Sequence, residues 1–189
     1  YHEPGHHVQA RMVIALMDHL GIDKAHIVGN SVGGTTTIVL ALNHPERVRS
    51  IVVGACHASS GGDPYLIANR PVEIGRVARE FTEDPTWENM RKYLPTTIDQ
   101  DSLVTDELVN YMHELYTSHP DHLAVRKRSK QTPHSNMADL PNVKAPTLII
   151  HGRYDRMVPV EVGLTLMNYI TDSRLVVFNH CGSWPPFEN

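Results

Sequence analysis

Residues 25–42 read AHIVGNSVGGTTTIVLAL, an apolar run that enters the pattern Gly-x-Ser-x-Gly and continues into a helix-compatible segment. This strand–turn–helix context is what makes the pattern a nucleophile elbow, whereas the five residues alone would equally suit a plain turn. We expect Ser31 on a strained turn, with its hydroxyl clear of the sheet. Gly29 and Gly33 are expected to avoid a clash where strand and helix pass closely. The amide of Val32, at the helix N-terminus, would face a developing oxyanion.

Two further segments place polar groups after predicted strands. Residues 145–152 are an apolar run leading to Asp155, and residues 174–178 form a last strand leading into a turn at 179–184. In open α/β sheets, reactive groups collect beyond the carboxyl ends of the strands. A lone loop carboxylate is more often a helix cap or a surface charge. The chain order serine, acid and C-terminal turn instead predicts that Asp155 orients a catalytic base for Ser31.

The alternation of strands and helices predicts an α/β fold with a mostly parallel sheet flanked by helices. We predict a core part over residues 1–60, a helical lid over 61–137 and a second core part over 138–189. Within the lid, apolar residues at helical spacing and intervening prolines indicate three or four short helices. The same spacing would suit a helical subdomain without a functional role. A first helix is predicted over residues 8–20, with its apolar positions at Val8, Met12, Ala15, Leu16 and Leu20.

The amino-acid composition limits the kinds of partner that the chain could bind and the cellular compartment that we predict for it. The chain has 17 basic and 21 acidic residues, so we predict no nucleic-acid partner, and no apolar run is long enough for a membrane span. Cys56 and Cys181 accompany apolar segments, which indicates buried free thiols in a reducing cytoplasm rather than a disulfide. The 13 histidines are scattered, with His6-His7 as the only adjacent pair. Because no metal-binding spacing is present, we predict neither a metal nor another cofactor.

Three motifs resemble those of the bacterial meta-cleavage-product hydrolases: GNSVGG at 29–34, GRYDRMVP at 152–159 and CGSW at 181–184. These α/β-hydrolases cleave a carbon–carbon bond in vinylogous diketone acids produced by ring cleavage of aromatics. The resemblance runs over nearly the whole chain, including DSLVTDEL at 101–108. It implies an α/β-hydrolase fold with a helical lid, a serine nucleophile and a small-molecule substrate.

The resemblance also implies roles for single residues. Asn30 would hold the dienolate end of the substrate, although it could equally stabilise the turn, and Trp184 would line the pocket. The family's catalytic histidine falls at Ser183, whose hydroxyl is too weak a base for Ser31. Loss of a triad histidine costs about 10⁶-fold in rate. His180 is an alternative base, but a three-residue offset in a tight turn favours its pointing elsewhere, as a strand cap or towards solvent.

Further departures concern the lid and the ends of the chain. The family's lid arginine would fall near Met112. Arg126 or Arg128 could substitute for it, but the run Arg126-Lys127-Arg128 favours charges that face solvent. No His-Gly-Gly-type loop is present to supply a second oxyanion donor. We therefore expect a fragment that lacks the first strands and the closing helix of the fold.

The predicted function is a C–C bond hydrolase, impaired at Ser183. An esterase or lactonase on the same scaffold, or a catalytically silent ligand-binding protein, is the alternative, and the sequence leaves a homo-oligomer open.

Overall fold

The computed structural model describes residues 4–60, 72–119, 121, 124 and 134–188. The strands are β1 (Ala25–Asn30), β2 (Val48–Gly54), β3 (Ser59–Ser60), β4 (His134–Ser135), β5 (Thr147–Gly152) and β6 (Ser173–Phe178). The α-helices are α1 (Gly5–His19), α2 (Val32–Asn43), α3 (Val72–Glu83), α4 (Trp87–Tyr93), α5 (Asp106–Thr117), α6 (Val160–Tyr169) and α7 (Pro185–Glu188). Short 3₁₀ turns lie at Pro45–Arg47, Leu94–Thr96, Asp101–Leu103 and Met137–Asn142. No described helix is long and apolar enough to cross a membrane.

A four-stranded parallel sheet in the order β1-β2-β5-β6 forms the centre of the fold. The register pairs Asn30 with Gly54 and Gly54 with Ile150, so β1, β2 and β5 end at nearly the same edge. Helix α2 packs on one face of the sheet and is buried along most of its length, from Gly34 to Ala41. This explains why its sequence is apolar and threonine-rich rather than amphipathic. The predicted α/β fold is confirmed, and the polar segments after β1, β5 and β6 share one edge.

Helix α1 differs from the prediction in the face that it buries. The five apolar positions predicted for this helix are all exposed. The buried residues are instead His6, Ala10 and Met17, on the side that packs against α2. A small alanine and a histidine that reaches Thr36 allow the two helices to approach closely. Periodicity located an apolar stripe, but it could not show which stripe has a neighbour.

Helices α3, α4 and α5 share a hydrophobic cluster separate from that of the sheet. Phe81 stacks on Tyr93, with 5.2 Å between ring centroids. Strands β3 and β4, which come before and after this segment in the chain, pair with each other as a separate antiparallel two-stranded sheet. Two-residue strands leave no periodic signal, so this pair was not predicted. The division at residues 60 and 137 stays a prediction, since parts of the lid lie outside the described residues. The largest fully buried members of its cluster are Phe81, Met90, Leu94 and Ile98.

Candidate functional site

Ser31 occupies the turn between β1 and α2, with φ 52° and ψ −120°. A positive φ is uncommon for a residue with a side chain and marks local strain. A Cβ on Gly29 would lie 2.2 Å from the carbonyl oxygen of Gly33, which explains the first glycine of the pattern. The expectation for Gly33 itself is wrong, because a Cβ there would meet nothing within 4 Å. The close approach is made by the next residue, Gly34, where a Cβ would lie 2.5 Å from that of Cys56.

Asp155 lies in the loop after β5 and is buried. Its Oδ1 accepts hydrogen bonds from the amides of Met157 at 2.8 Å and Val158 at 2.9 Å, and from the Ser183 hydroxyl. Its Oδ2 is buried without a hydrogen-bond partner among the described residues. Burial raises the pKa of the Asp155 carboxyl, although the hydrogen bonds from Ser183 and Val158 act in the opposite direction. The loop thus holds a buried carboxylate whose charge is only partly compensated.

Ser183 is the point where three segments meet. Its side chain reaches Asp155, its amide donates to the Thr97 carbonyl at 2.8 Å, and its carbonyl accepts from Asn30 Nδ2 at 3.1 Å. Because Ser31 directly follows Asn30, the structure brings the elbow, the acid loop and the terminal turn to one edge. The carboxylate is directed at position 183, as a histidine there would require.

Among the described residues, neither histidine near the acid loop makes a hydrogen bond to Asp155. His180 is exposed, with φ 51°, and its ring lies beside Tyr154 at 5.9 Å between centroids. His151 is fully buried, and its Nε2 lies 3.8 Å from Asp155 Oδ2. That nitrogen donates to the Val158 carbonyl at 2.9 Å, so the lone pair of the neutral ring is on the buried Nδ1. The tight turn therefore places the His180 ring against Tyr154, as the three-residue offset favours.

Glu188 is a buried residue of this region that the sequence did not single out. Its Oε1 accepts from the amide of Gly182 at 2.9 Å and from that of Trp184 at 3.3 Å. Its Oε2 accepts from the amide of Asp99 at 2.7 Å. One carboxylate therefore joins the terminal turn to the segment before α5. The only signal was a carboxylate four residues after Trp184, which does not reveal a partner 89 positions away.

The substrate-binding candidates occupy different surroundings. Asn30 borders a cavity of about 220 Å³, which is lined mainly by apolar groups from β1, β2, β5, β6 and α7. Its Oδ1 is buried without a hydrogen-bond partner among the described residues. Trp184 is partly buried against the α3–α5 cluster. Met112 is buried in the same cluster, and Arg126 and Arg128 lie outside the described residues.

The two cysteines are free and buried, as predicted. Burial raises the pKa of the Cys56 thiol to about 12, so this thiol is protonated at neutral pH. In the part of the chain that the structure describes, no group of three or more His, Cys, Asp or Glu side chains could hold a metal ion.

Comparison of the sequence with known proteins identifies the same fold. Residues 5–189 match the model of the α/β hydrolase fold family. The chain is 35% identical over 187 residues to the 2-hydroxy-6-oxononadienedioate/2-hydroxy-6-oxononatrienedioate hydrolase of Burkholderia vietnamiensis, covering 96% of this chain and 64% of the relative. It is also 35% identical over 191 residues to the 2-hydroxy-6-oxo-6-phenylhexa-2,4-dienoate hydrolase of Comamonas testosteroni, with the same coverage.

A solved structure agrees as well. A meta-cleavage product hydrolase from Pseudomonas fluorescens, complexed with acetates, superimposes with a TM-score of 0.82 at 31% identity. The alignment covers 100% of this chain and 68% of that protein. The chain thus spans 64% of the length of the two curated relatives that are named above.

Proposed function

The chain belongs to the α/β-hydrolase fold family, and we propose that it carries the site of a serine-type hydrolase that cleaves a carbon–carbon bond in vinylogous diketone acids. The observation that carries this proposal is the Asp155 carboxylate held against position 183 at the same sheet edge as the Ser31 elbow. The curated relatives named above, which are hydrolases of 2-hydroxy-6-oxo-dienoates, support the substrate class. The substrate is a small molecule.

Each site residue has a part in the proposed chemistry. Ser31 is the nucleophile, and the amide of Val32 at the start of α2 stabilises the oxyanion. Asp155 is placed to orient a histidine at position 183 and to stabilise its protonated form, although this chain has Ser183 there. Asn30 holds the dienolate end of the substrate, and Trp184 lines the pocket.

Ser183 impairs this site, because its hydroxyl cannot accept the proton that Ser31 must lose. The Ser183 hydroxyl bonded to Asp155 favours a second candidate function, which is ligand binding without turnover. In that case the same pocket would retain a dienoate or an ester without cleaving it.

The test is the variant Ser183→His, assayed for turnover of a ring-cleavage dienoate and of an aryl ester. Labelling of Ser31 by a fluorophosphonate is measured alongside, since attack on phosphorus needs the nucleophile and base but little of the substrate pocket. We expect labelling and turnover to rise by several orders of magnitude, because the triad regains its middle member. Turnover of the dienoate above that of the ester would select the C–C hydrolase over an esterase.

Two further variants serve as controls. Ser31→Ala should abolish labelling in the Ser183→His background, and His180→Ala should leave both measurements unchanged. If Ser183→His remains inert while His180→Ala removes the residual activity of the parent chain, His180 is the base and the assignment is wrong.

A further inference from the structure

A pair of histidines that has no part in the proposed reaction lies where helix α1 meets strand β4. His7 Nε2 is 3.1 Å from His134 Nε2, although the residues are 127 positions apart. The two rings are nearly perpendicular, with 86° between their planes. The side-chain oxygen of Asn136 lies 2.9 Å from the same nitrogen of His134. Three polar atoms from two segments of the chain therefore converge.

The orientation of the Asn136 side chain is set by the backbone. Its Nδ2 donates to the Ala58 carbonyl at 3.0 Å, so Oδ1 is the atom turned towards His134. An amide oxygen and an imidazole nitrogen of His7 thus both approach His134 Nε2. That nitrogen carries at most one hydrogen, which would have to serve two acceptors. Converging electron-pair donors of this kind suit a cation better than one shared proton.

The spacing fits coordination of a single ion. Two imidazole nitrogens bound to one Zn²⁺ at about 2.0–2.1 Å in tetrahedral geometry lie about 3.3 Å apart. His7 Nε2 and His134 Nε2 are 3.1 Å apart. The other ring nitrogen of His7 lies 3.4 Å from the side-chain amide of Asn43. In the structure Asn43 Nδ2 is the donor of this contact, so the Asn43 amide would have to reverse on metal binding. Its oxygen would then accept the second N–H, which a metal-bound histidine commonly donates.

We propose that His7, His134 and Asn136 form a binding site for a divalent transition-metal ion such as Zn²⁺. Imidazole nitrogens suit this class of ion, and water completes the coordination. The metal fastens α1 to the strand through which the predicted lid returns to the core. The sequence predicted no metal because ligands 127 positions apart have no recognisable spacing.

The experiment is calorimetric titration of the 189-residue chain with ZnCl₂ after treatment with EDTA. We expect one Zn²⁺ per chain at micromolar affinity, and at least a tenfold loss of affinity in His7→Ala and in His134→Ala. The matched control is His19→Ala, an exposed histidine on the same helix, whose affinity should equal that of the parent. The thermal midpoint should rise with Zn²⁺ in the parent and the control but in neither of the other variants.

Imidazole ¹⁵N spectra of the parent chain keep the test independent of whether the variants fold. Zn²⁺ should shift the Nε2 signals of two histidines, which through-bond correlation to the assigned backbone amides of the parent chain identifies as His7 and His134. The proposal is overturned if the parent binds no Zn²⁺ below millimolar concentration, which would mean that the position holds only a proton. Equal affinity in His7→Ala, His134→Ala and the parent, or shifts confined to other histidines, would overturn it as well.

Discussion

Asp155 shows how a single residue can oppose the stability of the fold that holds it. Burial raises the pKa of its carboxyl above the ordinary value, so the native state binds this proton more tightly than the unfolded chain. Its contribution to stability is therefore greatest below the unfolded pKa of about 3.9 and falls as the pH rises through the native pKa. Each unit by which the pKa is raised costs about 1.4 kcal/mol at neutral pH.

The asparagine side chain in Asp155→Asn cannot ionise. As the pH rises from 4 to 7, we therefore expect the free energy of unfolding of this variant to increase relative to that of the parent chain. Its amide oxygen still accepts from Met157 and Val158, which keeps the loop closed. Urea unfolding at several pH values measures the difference. Asp172→Asn, at an exposed position, controls for the loss of one charge. A gap between Asp155→Asn and the parent that is constant with pH would contradict this account.

At the scale of a structural element, the two glycines of the elbow motif, Gly29 and Gly33, can be compared by substituting each with alanine. In Gly29→Ala the new Cβ would meet backbone 2.2 Å away, so β1 and α2 must separate. We expect a loss of about 3 kcal/mol or more in the free energy of unfolding. Gly33→Ala places a Cβ in open space within α2, so helix propensity should stabilise it by up to about 1 kcal/mol. Urea denaturation distinguishes the two, and similar losses in both variants would show that the motif needs its second glycine as well.

Some structural elements could be predicted from the sequence, and others could not. The four strands of the central sheet and the elbow were predictable, because β-branched runs and Gly-x-Ser-x-Gly are local signals. The buried face of α1 was not, because an apolar stripe does not identify its neighbour. The Glu188 carboxylate and the pair of His7 and His134 were beyond prediction, since their partners lie 89 and 127 residues away. Local sequence patterns therefore identified the candidate nucleophile and acid. The residues that surround them depend on contacts between distant parts of the chain, which the sequence did not reveal.

At the scale of the whole molecule, the buried hydrophobic residues form two separate clusters, and each cluster stabilises its own part of the chain. One surrounds the sheet and α2, and the other lies among α3, α4 and α5. Contacts between the second cluster and the core include Trp184 and the hydrogen bonds of Glu188. A unit with a small core of its own opens more easily than the sheet that carries it.

Native-state hydrogen exchange should show this difference. We expect the amides of α3 to α5 to exchange through openings of lower free energy than those of Val53 and Ile149 in the sheet. Phe81→Ala removes a fully buried ring from the second cluster and should cost about 3–5 kcal/mol. Because that ring lies outside the cluster of the sheet, exchange should accelerate in α3 to α5 and change less at Val53. Equal protection of both regions in the parent chain, or equal acceleration in the variant, would mean that the predicted lid and the core unfold as one unit.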